Sequence, residues 1–394
     1  MRNTNILRLS NKMALWLLVA ACFSINLPIA FGSVSLCLFL IFWLISGQYK
    51  AKYDAIINNP GALVALGLFA LYGLGVSYSS ASLQDSVHYF LKYSKLLLIP
   101  LIIGLALSDH YRKYAVNAFL VSLIGYLAVS YLNWLGIFSL GPMHHGTYMA
   151  IGLYFMLGNA KKSTSEYRGI WIILSALTIF DILVITDVRT GVVTMGALIT
   201  LFCYDNWGKK SILVILVFLL VASALFQTFP SLKEINPRLM HIDREVAEHS
   251  SDKVPTSAGL RIEMYKNTFQ LIQKHPVFGG GTGSLKDEYA EQIKGRGILI
   301  DRVTNPHNQF LATAQDLGLV GLFVLLAFWF VHWKQSFELV NNEYGRALRA
   351  VIAATVIGSL FNSLLLDSGD GRMYCLLAGV FLSAYKSQHK KTCL

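Results

Sequence analysis

Apolar runs close to twenty residues long recur from one end of this chain to the other, and no other feature restricts its fold as much. A bilayer core of about 30 Å is crossed by a helix of about 20 apolar residues. The runs near 13–31, 33–47, 61–78, 88–107, 114–134, 142–159, 169–187, 190–205, 211–228, 308–332, 347–366 and 372–386 therefore read as about twelve transmembrane helices. Only 14% of the residues are charged, against about a quarter in soluble domains. A transmembrane barrel needs alternating segments of about ten residues, which do not occur. The expected fold class is an all-α polytopic membrane protein. Its basic start and the apolar run behind it resemble a signal peptide, with a lipoprotein-like Val19-Ala-Ala-Cys22. Further spans follow at once, so this run is read as the first span. The five cysteines show neither a disulfide framework nor metal-ligand spacing.

One long polar stretch interrupts the pattern and divides the chain. Residues 1–228 hold spans one to nine, 229–307 form a large loop, and 308–394 hold spans ten to twelve with a short tail. With the N-terminus in the cytoplasm, the inner segments carry eighteen lysines and arginines, from Arg2 to Lys391, while the short outer loops carry only Arg189 and Arg372. That bias sets both termini inside and the 229–307 loop outside. The net charge of +11 is accordingly a topology signal, and nucleic acid is not an expected partner.

Basic groups on the outer face run against this bias, so each calls for a reason. Lys92, Lys95 and Arg372 lie there, with snorkelling at the interface as the structural alternative. His144 and His145 fall on the same face. Within the loop, 258–274 reads as a helix. Its apolar face is expected to be Leu260, Ile262, Met264, Tyr265, Phe269, Leu271 and Ile272, with Arg261 near the centre beside Thr268. A guanidinium placed there needs an anion, either a ligand phosphate or a loop carboxylate such as Asp287 or Glu288. Phe278-Gly-Gly-Gly-Thr-Gly283 lacks the ending of a nucleotide phosphate loop and reads as a tight connection with some anion-binding backbone, leading into a short helix near 284–293. In Asn305-Pro306-His307, Asn305 is expected to cap the next helix, with Pro306 first in it and His307 in its first turn. A helix N-terminus disfavours a charged imidazole and favours anions, which suits a general base beside a phosphate. The alternative is an interfacial histidine held by a loop carbonyl. Arg189 opens the eighth span, facing either a phosphate or Asp187 or Asp181. Asp367 closes the eleventh span, where it orients His307, holds a basic group, or caps the turn to Gly371.

Arg189-Thr-Gly191, Arg261 followed by Pro276-Val-Phe-Gly-Gly-Gly-Thr-Gly283, and Pro306-His-Asn-Gln-Phe-Leu311 with Leu317-Gly-Leu-Val-Gly321 behind it resemble the O-antigen ligase family, within the wider ligase and polymerase superfamily of bacterial surface polysaccharides. The resemblance implies a C-type glycosyltransferase fold in the inner membrane, with one large periplasmic loop and no metal or other cofactor. It implies an undecaprenyl-diphosphate-linked polysaccharide as donor and the lipid A core as acceptor, both among membrane lipids. The diphosphate-binding positions of the family match Arg189 and Arg261, its essential histidine matches His307, and a carboxylate near the C-terminus matches Asp367. His145, Lys92, Lys95 and Arg372 are possible supporting residues. An O-antigen polymerase shares the donor chemistry and is the nearest alternative. A transporter calls for inverted repeats and mid-membrane polar groups, and the candidates here gather at one face.

Overall fold

The structure is a computed structural model that describes residues 2–138, 146–186, 188–211, 256–295 and 303–385. Every regular element among these residues is helical, apart from one isolated bridge between Leu339 and Tyr385. The helices are α1 (Arg2–Phe23), α2 (Ile29–Ile45), α3 (Tyr49–Ile57), α4 (Pro60–Val76), α5 (Leu83–Leu91), α6 (Leu98–Gly104), α7 (Asp109–Trp134), α8 (Gly146–Lys162), α9 (Ser165–Phe180), α10 (Arg189–Trp207), α11 (Ser257–Lys274), α12 (Leu285–Ile293), α13 (Gln309–Gln335), α14 (Asn342–Gly358) and α15 (Ser368–Leu382). The chain forms two compact units. One holds residues 1–122, 261–352 and 359–394, and the other holds 123–260 and 353–358.

Among the described residues, five helical stretches are long and apolar enough to cross a membrane, and six if the bent pair α2–α3 counts as one. Others are shorter: α4, α8 and α14 have 17 residues and α15 has 15. At 1.5 Å per residue, 17 residues reach about 25 Å, short of the hydrocarbon core. The expected span near 211–228 lies outside the described residues.

Prolines and asparagines set several boundaries. The first span was expected to run to 31, but α1 ends at Phe23, a 3₁₀ turn covers Ser24–Asn26, and Pro28 caps α2. A proline cannot continue a helix and biases its predecessor away from helical geometry. The fourth span is likewise not one α-helix, because Lys92–Leu97 form a 3₁₀ segment between α5 and α6. Pro100 accounts for this: its ring clashes with the carbonyl four residues earlier, at Leu96. Lys92 and Lys95 therefore project from a tightened turn. At α4, Asn59 accepts from the amides of Gly61 and Ala62, and Pro60 takes the first helical position.

In the first unit α4 packs on α13 and α15 packs on α6. Polar pairs pin these apolar contacts in register. Tyr72 and Tyr93 stack with ring centroids 3.7 Å apart, and the Tyr72 hydroxyl meets Thr313 Oγ1 at 2.8 Å. Gln309 Nε2 donates to the Tyr93 hydroxyl at 3.2 Å, while Gln309 Oε1 accepts the amides of Leu365 and Leu366. The start of α13 is thereby fixed against the segment that leads into α15.

The glycine-rich turn has a structural task. Helix α13 breaks at Gly318, at φ 64° and ψ −159°, a region that only glycine occupies readily. The turn docks on this break. The amides of Gly280 and Gly281 donate to the carbonyls of Gln315 and Asp316, Thr282 donates to Gly75, and Gly283 donates to Asp316 Oδ1. In return Leu319 and Val320 donate to Pro276 and Val277. The anion-binding backbone expected here is not present, because those N–H groups are already spent. A Cβ at Gly318 would lie 2.2 Å from the Val277 carbonyl oxygen. Gly318→Ala is expected to cost at least about 1–3 kcal/mol for the backbone alone, read as a lower melting temperature in detergent. An unchanged melting temperature would contradict this docking.

In the second unit α8 packs on both α9 and α10. A π-helical turn, Asp181–Ile185, ends α9. Gly191 lies against Gly146, so close that a Cβ on Gly191 would sit 2.8 Å from the Gly146 Cα. The glycine of Arg189-Thr-Gly191 thus lets the start of α10 abut the start of α8.

Candidate active site

Helix α11 brings Arg261 and Tyr265 to the first unit. Its buried residues are Gly259, Met264, Asn267, Thr268 and Leu271, whereas Ile262 and Phe269 are exposed. The expected apolar face was therefore too broad, and Ile262 and Phe269 do not belong to it. Asn267 is buried because its amide reaches the Tyr289 hydroxyl of α12. Arg261 lies half-buried on the side of α11 that carries Met264 and, two turns on, Thr268. Neither proposed carboxylate partner engages it. Glu288 accepts from Ser80 Oγ at 2.6 Å and from Gln315 Nε2 at 3.3 Å, and Asp287 is exposed. One turn after Arg261 on the same face, the Tyr265 hydroxyl lies 2.9 Å from the His307 carbonyl and 3.0 Å from the Leu360 carbonyl. Burial raises the Tyr265 pKa above its ordinary value, against the pull of the Arg261 charge. Arg261 thus lies one turn from the tyrosine that holds the His307 backbone.

His307 is not in the first turn of α13. The cap is Asn308, whose side chain accepts from the amides of Phe310 and Leu311. Asn305 bonds the His307 amide instead, at 2.9 Å, and Pro306 lies outside the helix. His307 sits just before the cap at φ 53°, a left-handed conformation that costs a non-glycine residue roughly 1–2 kcal/mol. Such costs gather at functional sites. The Asn305 side chain, the Tyr265 hydroxyl and buried Pro306 hold the histidine there.

The ring is oriented by a relay. His307 Nδ1 lies 3.0 Å from Asn362 Oδ1, and Asn362 Nδ2 lies 2.6 Å from Asp367 Oδ2. An ionised carboxylate only accepts, so the Asn362 amide must turn its NH2 toward Asp367 and its oxygen toward the ring. Nδ1 then carries the proton, and in the neutral ring Nε2 is the basic atom. Asp367 therefore acts on His307 through an intermediate amide rather than directly. Burial raises the Asp367 pKa above its ordinary value, opposed by the Asn362 amide and by the Lys95, His307 and Lys92 charges. Lys95 is tied in beside it, its Nζ donating to the carbonyls of Leu366 (3.0 Å) and Asp367 (2.6 Å).

The other candidates divide. Lys92 lies over the Tyr89 ring, with Nζ 5.5 Å from its centroid. Arg372 donates to the Ile29 carbonyl and to Ser33 Oγ, tying α15 to α2. Arg189 opens α10 in the second unit, half-buried, as its position before an apolar run implies. His144, His145 and Asp187 lie outside the described residues, and so does most of the 231–256 stretch. Among the described residues no group of three or more His, Cys, Asp or Glu stands close enough to hold a metal ion. Sequence reasoning gave no role to Asn362 and counted Tyr265 only as apolar. The one local signal was an asparagine five residues before an acid between two apolar runs.

Compared with known proteins, residues 173–326 match the family described as O-antigen ligase. The matched segment takes in Arg189, Arg261, Tyr265 and His307 and stops short of Asn362 and Asp367. No curated protein matches the chain.

Proposed function

We propose that this chain, which carries the O-antigen ligase family domain over residues 173–326, transfers a polysaccharide from undecaprenyl diphosphate to the lipid A core at the periplasmic face of the inner membrane. The observation that carries this reading is the His307–Asn362–Asp367 relay, whose histidine backbone is held by Tyr265 one turn from Arg261, an arginine that neither Asp287 nor Glu288 engages. His307 Nε2 takes the proton of the acceptor hydroxyl. The freed oxygen bonds to the anomeric carbon as the bond from that carbon to the diphosphate oxygen breaks. The electron pair leaves with undecaprenyl diphosphate. Arg261 meets the developing negative charge through a bidentate contact, so the step calls for no metal. Arg189 is assigned the same diphosphate-binding role from its family motif alone. Lys95 supports the Asp367 end of the relay.

The matched family serves ligase and polymerase readings alike, so the acceptor is the deciding variable. Purified protein with lipid-linked glycan, offered lipid A core or a second lipid-linked glycan, is expected to extend the lipid A core. Extension of the lipid-linked glycan alone would make it a polymerase. The multi-pass character agrees with the apolar helices and the family. About twelve spans, with cytoplasmic termini and 229–307 in the periplasm, remain the proposed topology. A cysteine replacing Ser250 is expected to react with a membrane-impermeant thiol reagent in cells whose outer membrane alone is opened. Reaction only after the inner membrane is breached would reverse the orientation.

A further inference from the structure

A second polar site lies far along the chain from the relay. A cavity of about 570 Å³ is lined by Asn5, Arg8, Leu9, Asn11, Lys12, Leu15, Gln48 and Tyr111, within the usual size range of small-molecule sites. All of these residues belong to the first unit. Three chain segments meet there, each at the end of an apolar helix: the start of α1, the bend between α2 and α3, and the start of α7. In the proposed topology these helix ends are where hydrocarbon gives way to headgroups. Arg8 and Lys12 are four residues apart on α1 and share a face. Like charges at that spacing repel, and no Asp or Glu lines the cavity. Among the described residues neither cation has an ion pair there, and the Asn5, Asn11 and Gln48 amides lie beside them. Leu9, Leu15 and Tyr111 give the same cavity an apolar side.

We infer that this cavity binds the headgroup of an anionic phospholipid. Arg8 and Lys12 receive the phosphodiester, the amides of Asn5, Asn11 and Gln48 meet headgroup hydroxyls, and Leu9 and Leu15 lie along the first acyl carbons. Basic pockets between membrane helices recognise lipids in this way. By the charge bias of the loops this is the cytoplasmic face, opposite the proposed catalytic side.

The test is native mass spectrometry of the full-length protein in neutral detergent, titrated with dioctanoyl phosphatidylglycerol, dioctanoyl phosphatidylcholine or inorganic phosphate. Phosphatidylglycerol is expected to bind in preference to phosphatidylcholine, and inorganic phosphate is not expected to displace it. The double variant Arg8→Gln/Lys12→Gln should weaken phosphatidylglycerol binding about 30-fold, from the usual contribution of two basic residues at an anionic surface. Lys209→Gln/Lys210→Gln, which removes the same charge from the end of α10, should leave it unchanged. If the double variant does not fold, each single variant should still weaken binding about fivefold. Equal binding by the cavity variants, an equal loss in the α10 variant, or displacement by inorganic phosphate would each overturn the assignment.

Discussion

His307→Ala is expected to bind lipid-linked donor about as well as the unchanged protein while transferring the glycan on the order of 10²–10⁴ times more slowly, the usual cost of losing a general base. The expectation follows from the tautomer. With Nδ1 committed to Asn362, Nε2 is the ring atom that can take a proton, and alanine removes it without disturbing the Asn308 cap. The backbone consequence is favourable or neutral only if the left-handed geometry relaxes, so melting temperature is measured alongside rate. Asn362→Leu should keep the imidazole but release its orientation, with a loss smaller than that of His307→Ala. Asp367 adds a pH signature. Its pKa is raised, so the carboxylate that holds the amide is present above that raised value and is lost as pH falls through it. The Asp367-dependent part of transfer should therefore be lost as pH falls through that raised value, and Asp367→Asn should remove that part of the acid limb. A His307→Ala variant that loses donor binding yet turns over the bound fraction normally would make His307 a phosphate contact.

Arg261→Ala is expected to lower transfer by about 10²–10³, the effect of removing one preorganised stabiliser of developing charge, and Arg261→Lys should recover only part of it. A lysine places one point charge where the guanidinium presents a planar fork to two phosphate oxygens. Stability separates this from a structural role. Because neither Glu288 nor Asp287 pairs with Arg261, its removal should leave the melting temperature close to the original. Full activity in either variant would exclude the role, and a large fall in melting temperature would mean that the side chain holds α11 in place.

Much of the helical plan was legible because apolar length and helix period are local properties. Helices α11 and α12 fall within a residue or two of their expected bounds, and α10 opens at Arg189. The failures arose where local rules competed. Asn305 and Asn308 are both good caps, and Pro306 favoured the first. The second prevails because Asn305 is spent on the His307 amide. Three glycines before Thr282 suggested exposed amides, but the break at Gly318 supplies carbonyls that consume them. Glycine's freedom served a helix break instead of an anion. The relay was the least legible part of the site. His307 and Asn362 are 55 positions apart, so only the packing of the α14–α15 connection beside the start of α13 brings them together. Arg372 looked as suspect as Lys95 by charge alone, and its actual partners on α2 lie 343 and 339 positions away in sequence.

The central claim is glycosyl transfer from a polyprenyl diphosphate by side chains alone, with histidine as base and arginine against the leaving group. Its most direct test is transfer by the purified, reconstituted protein from labelled undecaprenyl-diphosphate glycan to lipid A core in excess chelator, with undecaprenyl diphosphate release followed in parallel. The account predicts that product and undecaprenyl diphosphate appear together at the rate seen without chelator. Loss of both in chelator, with recovery on adding back a divalent cation, would contradict it.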